Sequence, residues 1–283
     1  MKFLVIIFLL FSFQALGREP GQTEITTDEG IEVFQQEKYY LLKKNVNIIS
    51  DDFELKADLV KAYFNEGLYD VVKIESTGNV ILTSSRGIHA IGEKIDFDTK
   101  KEDIKIYGEK SLLITNEITM SSDGIIKVNN LTGLFTINGF NSNLKSNEVD
   151  IHGYLIDGKF IKLDKVNEIE NLYVEDETEI NIKTENLNMY ALKAKYDKKI
   201  NIIELFNNVK IFRENETIYG DYAKINTLNE TYKITSKKSK KVKALLKEKK
   251  DPSLKFKNEP KDAAEGMLNY GIKNLAGGTT GYE

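Results

Sequence analysis

Apolar and polar residues alternate along most of this chain, in short runs that begin at Ile31 and continue to about Thr235. Gly, Asn, Asp and Ser residues separate the runs. Such alternation is typical of antiparallel strands with one buried face, and the separators are typical of turns. No stretch carries a sustained helical stripe. The pattern therefore predicts an elongated all-β protein of about sixteen to twenty strands.

Two short phrases recur along the chain. A small residue near an acid opens an alternating run at Ile218–Asn226 and again at Ile88–Asp96. An Asn-Val pair precedes three copies of this phrase by 11 or 12 residues, at Asn45, Asn79 and Asn208. Looser copies of the first phrase lie at 55–58, 191–197 and 146–150. We interpret the two phrases as sequence signals for hairpin turns. Their recurrence indicates an array of β units.

The residue types exclude several kinds of chemistry. The chain has no cysteine and only two histidines, so it lacks disulfides, thiol nucleophiles and multi-histidine metal centres. No nucleophile elbow, phosphate-binding loop or zinc-protease motif occurs. The densest acidic clusters, Asp51-Asp52 and 175–177, are expected in solvated loops. The sequence predicts a protein that is not an enzyme and needs no cofactor or metal.

The ends of the chain differ from its centre. Met1–Gly17 combines a lysine, an apolar run too short to span a membrane, and small residues near its end, as in a cleaved secretory signal. We expect an N-terminal arm at 18–30, a β domain at 31–247, and a disordered tail rich in Lys and Gly at 248–283. From Lys233 onward the chain carries 13 Lys and 6 acidic residues. This basic stretch lacks interleaved aromatic residues, so no nucleic acid partner is expected.

The phrases at Gly78-Asn79-Val80, 55–58, 194–197 and Asn208-Val209, together with 218–221, resemble the repeat of the OstA-like family. The short signal segment and the final strands that run into a polar tail are also similar to that family. The likeness covers 40–110 and 187–247 best. It implies an open antiparallel β-jellyroll in the periplasm, with an apolar groove that shelters the acyl chains of lipopolysaccharide (its lipid A part).

The resemblance also implies partner proteins and a direction of transport, from the inner to the outer membrane. Copies would join head to tail through their edge strands, and would contact inner-membrane LptC-type and outer-membrane LptD-type β-jellyroll proteins. The residues expected to line the groove are Val46, Ile48, Leu55, Ala57, Val80, Leu82, Ile88, Ala90, Ile95, Phe97, Val209, Ile211, Ile218, Ala223 and Ile225. The edge residues expected to dock a partner are Ile31, Val33, Val242, Ala244 and Leu246.

Two other functions stay open at the level of sequence. The chain could be an inner-membrane-anchored, LptC-like component of the same system, if Met1–Gly17 is retained as an anchor. It could also be a secreted β-solenoid that binds or cleaves polysaccharide, if carboxylates converge on one face. The sequence also cannot separate a groove left open for lipid from an ordinary packed core.

Overall fold

The computed structural model describes residues 19–66, 70–85, 87–163, 166–229, 231–237 and 241–247. The predicted signal segment at 1–17 and the predicted tail at 248–283 lie outside the described residues. The described chain consists of strands and their connections, and the all-β prediction is confirmed. Within this part of the chain, no helix is long and apolar enough to cross a membrane.

The first nine strands are β1 (Glu24–Thr26), β2 (Ile31–Phe34), β3 (Tyr39–Ile49), β4 (Phe53–Phe64), β5 (Val71–Ser84), β6 (His89–Asp98), β7 (Asp103–Tyr107), β8 (Ser111–Ile114) and β9 (Thr119–Ser122). The other nine are β10 (Ile125–Asn129), β11 (Leu134–Lys145), β12 (Asp150–Leu163), β13 (Val166–Lys183), β14 (Asn188–Asp197), β15 (Ile202–Arg213), β16 (Glu216–Asn226), β17 (Thr231–Thr235) and β18 (Lys243–Leu246). β1 lies within the segment assigned to the N-terminal arm and pairs with β3.

All strands join one antiparallel sheet, mostly in chain order. A long strand often has two short neighbours, one along each of its halves. β3 pairs with β1 and β2, β6 with β7 and β8, β11 with β9 and β10, and β16 with β17 and β18. Because four positions are each shared by two short strands, the 18 strands occupy 14 positions across the sheet. Among the described residues, β1 and β2 do not pair with β17 or β18, so the sheet is open.

Long strands change register near their middles, and asparagines cause several of these breaks. Asn45 and Asn79 have φ values of 49° and 47°, and Asn208 has a φ of 52°. Asparagine adopts this left-handed conformation more readily than most residues. Each of the three lies inside a strand, at a bulge between two paired segments. The interpretation of the Asn-Val phrases as signals for hairpin turns was therefore wrong. A left-handed asparagine is compatible with a bulge as well as with a turn.

Cross-strand pairing explains the constant gap between the two phrases. Val46 lies opposite Ala57, and Val209 lies opposite Gly220. Val80 lies opposite Gly92, two residues beyond the small residue Ala90 that the alternation singles out. Ala57 and Gly220 therefore lie in the middle of β4 and β16, whereas Ala90 lies near the start of β6. A Cβ on Gly220 would approach Ile234 Cγ2 to 2.4 Å, so the next strand covers this position closely.

The acid after the small residue binds a group of the following strand or of the connection that leaves it. Asp58 Oδ2 accepts a hydrogen bond from Asn79 Nδ2 over 3.1 Å. Asp221 Oδ2 accepts one from the backbone N–H of Lys237 over 3.0 Å. Asp58 thus holds the side chain of the bulge residue Asn79, and Asp221 gives a partner to a backbone N–H outside the strands. The small-acid phrase is thus the second half of one structural unit, with the Asn-Val phrase as the first.

One continuous apolar core lies on the inner face of the sheet. In β4 the buried positions are Leu55 and Ala57 before the bulge, and Val60 and Ala62 after it. The spacing changes from two residues to three at the break, which keeps the apolar side chains on one face. The core therefore runs through both halves of each strand.

Candidate lipid-binding site

The two halves of the strands face each other across a cavity. A cavity of about 590 Å³ is lined by Ile169 and Leu172 from the first half of β13 and by Ile182 from its second half. In a straight strand, Ile169 and Ile182 would lie about 43 Å apart at roughly 3.3 Å per residue. One cavity can hold both only because β13 folds back at the register break between Glu175 and Ile180.

This larger cavity is apolar inside and charged at its mouth. Its apolar lining is formed by Ile118, Val149, Ile151, Ile169, Leu172, Ile182, Ala194 and Ile203, together with the ring of Tyr196. Its charged residues are Glu117, Glu148, Glu168, Lys195 and Lys198. The charged and loop residues come from both sets of hairpin connections, at 146–149 and 184 on one rim and near 198 and 227 on the other. Such a lining suits a molecule with apolar chains and a polar head.

Ion pairs lie beside this cavity. Lys198 pairs with Glu168 at its rim. On the neighbouring strands, Lys159 Nζ lies 2.7 Å from Glu170 Oε2, and both residues line the second cavity described below. The hydrogen bond from Lys159 lowers the pKa of Glu170, and the nearby positive charges of Lys159 and Lys199 lower it further. Glu170 therefore stays ionised at neutral pH.

Tyr196 connects the two rims. Burial raises the pKa of Tyr196, and the carboxylates of Glu148 and Asp197 raise it further. Glu148 belongs to the connection between β11 and β12, on the opposite rim from Tyr196. The tyrosine hydroxyl therefore stays neutral at physiological pH and places its ring against the apolar lining.

A second, smaller cavity of about 390 Å³ lies further toward the N-terminal half of the sheet. Its apolar lining is formed by Ile88, Ile104, Leu113, Ile118, Met120, Val128 and Phe160. The ring of Phe160 stacks on Phe135 with 4.3 Å between ring centroids, which stiffens one wall. Ile118 lines both cavities and is 4% exposed.

The predicted groove residues lie on the inner face, but few of them reach a cavity. Ile88 lines the smaller cavity, and Ile225 lines an adjoining space of about 620 Å³ that shares Val149 and Ile203 with the larger cavity and continues it. Phe97 packs partly buried against the core, and Ile218 is also partly buried. The others are buried against the protein's own side chains: Val46, Ile48, Leu55, Ala57, Val80, Leu82, Ala90, Ile95, Val209, Ile211 and Ala223.

Sequence reasoning missed most of the cavity lining. Ile118, Val149, Ile151, Ile169 and Leu172 come from 111–186, where the repeated phrases are weakest. Their alternating pattern predicts strands there, and β8 to β13 confirm that prediction. Nothing in the alternation distinguishes a residue at a cavity from one in a packed core. Local sequence carries no signal for that difference.

The predicted docking residues are exposed at the two ends of the sheet. Ile31 and Val33 of β2 are 48% and 45% exposed, and Leu246 of β18 is 71% exposed. Ala244 is exposed in β18, and Val242 is exposed just before it. Within the described chain, the outer sides of β2 and β18 have no partner strand.

The acidic clusters have structural partners. Asp51 and Asp52 lie in the bend between β3 and β4, as expected. The cluster at 175–177 lies within β13 at its register break, so its assignment to a loop was wrong. There Glu175 binds Lys193 and the hydroxyl of Tyr173. Among the described residues, no group of three or more His, Asp or Glu is placed to hold a metal ion.

Comparison with known proteins gives one partial match to a family. Residues 24–133 match the family model described as LptA/(LptD N-terminal domain) LPS transport protein. Among solved structures, the chain is similar to LptH, the LptA-homologous periplasmic component of the lipopolysaccharide transport device from Pseudomonas aeruginosa. The identity is 12%, the TM-score is 0.39, and the match covers 46% of this chain and 95% of that one. No curated protein matches the chain.

Proposed function

We propose that this protein is a periplasmic carrier that shelters the acyl chains of lipopolysaccharide between the two halves of its folded sheet. The main support is the larger cavity, whose apolar lining lies between charged rims. Its volume of about 590 Å³ is within the usual range for a ligand site. The match of residues 24–133 to a lipopolysaccharide-transport family agrees with this role. The predicted secretory signal agrees with a periplasmic location.

Burial of acyl chains is enough to drive such binding. Each methylene moved from water to an apolar lining contributes about 0.8 kcal/mol, so ten contribute roughly 8 kcal/mol. Saturated chains need no directional partner, and the apolar lining provides none. The sugar part of the lipid would remain outside the charged rims. No covalent step is required, so the protein would act as a carrier rather than an enzyme.

We further propose that copies dock head to tail, as in an LptA-like bridge, with LptC-type and LptD-type proteins at its ends. The N-terminal segment 19–37, which contains β1 and β2, carries six acidic residues and no Lys or Arg. The C-terminal segment 231–247, which contains β17 and β18, carries seven Lys and no acid. Opposite charges on two free edges favour contact between unlike edges and disfavour contact between like edges. Such contacts do not close on themselves, so they yield a filament.

Photocrosslinking tests the lipid part of this proposal. A photoreactive residue would be placed at Ile88, in the smaller cavity, or at Tyr196, in the larger one. Phe140, which is 84% exposed and lines neither cavity, is the matched control. Adducts detected with an antibody to lipopolysaccharide are expected from the two inner positions and not from the control. Equal labelling at Phe140, or none at the inner positions, would contradict the proposal.

A further inference from the structure

We infer that one chain holds two acyl-chain-bearing amphiphile molecules at once, one in each of the two cavities. This inference rests on the proposed function and adds the number and position of the binding sites. The smaller cavity is bordered mainly by β7 to β10, and the larger one mainly by β12 to β15. Neighbouring strands lie about 4.8 Å apart, so three to four strand positions place the centres of the two adjoining cavities roughly 15–20 Å apart.

The two cavities adjoin at Ile118 and at the paired residues Phe160 and Ile169. Ile118, from the connection between β8 and β9, contributes to both linings and is almost fully buried. On the facing strand, Phe160 lines only the smaller cavity, while Ile169, its partner across β12 and β13, lines only the larger one. The boundary between the two cavities therefore lies between Phe160 and Ile169 on one wall. On the other wall it lies at Ile118.

The two mouths also differ chemically. The mouth of the smaller cavity combines four neutral polar residues, Thr115, Asn129, Asn130 and Thr132, with the single ion pair of Lys159 and Glu170. The mouth of the larger cavity is mainly charged, with three Glu and two Lys. Two sites with different mouths are expected to bind the same amphiphile with different affinities.

The layout of the sheet supports two sites. The family match at 24–133 contains β1 to β10, which occupy the first seven of the 14 positions. β11 to β18 add seven further positions with the same bulged pairing. One chain thus has twice the sheet width that the family match covers, and one cavity lies near the junction and another beyond it.

Native mass spectrometry of the purified protein, titrated with a single lipopolysaccharide species, tests the inference. The wild type is expected to bind two molecules. Val128→Asp, in the smaller cavity, and Ile169→Asp, in the larger one, are each expected to bind one. Both residues are partly buried at the core margin, and circular dichroism checks their folding. Saturation at one molecule, or loss of both molecules in either variant, would overturn the inference and leave the proposed function intact. Absence of any bound lipid would refute the proposed function itself.

A second measurement does not depend on core variants. The chain has no cysteine, so Thr132→Cys and Asn147→Cys each introduce a unique labelling site at one mouth. Environment-sensitive dyes at the two positions are expected to respond at different lipid concentrations, with saturation at two equivalents. Identical responses that both saturate at one equivalent would show a single molecule spanning both cavities, and would overturn the inference.

Discussion

Asn79 Nδ2 donates a hydrogen bond to Asp58 Oδ2 over 3.1 Å, at the point where β4 and β5 both change register. The preceding residue, Gly78, has a φ of +81°. A Cβ on Gly78 would meet Asp58 Oδ2 at 2.3 Å and Asp58 Cβ at 2.7 Å. Because Asp58 Cβ is fixed to the backbone, Asp58 cannot swing clear. This bulge therefore leaves no room for a side chain at position 78.

Gly78→Ala is expected to destabilise the protein by about 2–4 kcal/mol, since it combines backbone strain with a steric clash. Gly30→Ala is the matched control, because Gly30 also has a positive φ, +95°, but has no atom within 4 Å of the added Cβ. It should cost only about 1–2 kcal/mol of strain. Urea unfolding measures both values. Equal losses in the two variants would show that Asp58 does not restrict this site.

Two isoleucines separate lipid binding from stability. Ile211 is 1% exposed and packs in the core, so Ile211→Asp should cost about 4 kcal/mol or more and unfold much of the protein. Ile88 is partly buried at the smaller cavity, so Ile88→Asp should retain a cooperative unfolding transition while weakening lipid binding. Thermal unfolding and lipid titration distinguish the two variants. Full lipid binding by folded Ile88→Asp would show that the smaller cavity does not bind lipid.

The raised pKa of Tyr222 is expected to lower the free energy of unfolding at alkaline pH. Its hydroxyl donates a hydrogen bond to Glu204, and this bond, together with burial, raises the pKa of Tyr222 to about 12. Below pH 10 the hydroxyl is protonated in both the folded and unfolded states, so its stabilising contribution is complete. Between about pH 10 and 12 the unfolded state loses the proton first, and this contribution is lost.

Tyr222→Phe is therefore expected to flatten the fall in unfolding free energy between about pH 10 and 12. Glu204→Gln should have the same effect, because it removes the charged acceptor. Urea unfolding at a series of pH values measures the slope. An unchanged slope in both variants would assign the alkaline loss of stability to other groups.

The opposite charges of the two sheet edges predict a salt-dependent assembly. Association measured by sedimentation velocity should weaken as ionic strength rises, because salt screens exposed charges. Lys243→Glu in β18 or Glu24→Lys in β1 should each weaken association. A mixture of the two variants should regain it through their complementary edges, whereas each variant alone should not. Assembly that is insensitive to salt and to both changes would exclude charge as the basis of edge recognition.

The sequence by itself determined the fold class and the alternation of apolar and polar residues within most strands. Alternation indicates which side chains share a face, and Val46, Leu55 and Val209, which belong to such alternating runs, are buried. It also located both edge segments, since Ile31 and Leu246 lie in the first and last alternating runs. These features depend on local patterns, which remain visible along the chain.

Only the tertiary structure decided where the bulges and the cavities lie. A left-handed asparagine such as Asn45 or Asn208 serves a turn or a bulge equally well, and only the paired strand shows which one forms. The cavity between Ile169 and Ile182 exists because β13 folds back on itself. That contact joins residues far apart along a strand. Whether space remains between them depends on how both halves pack, and periodicity does not record packing.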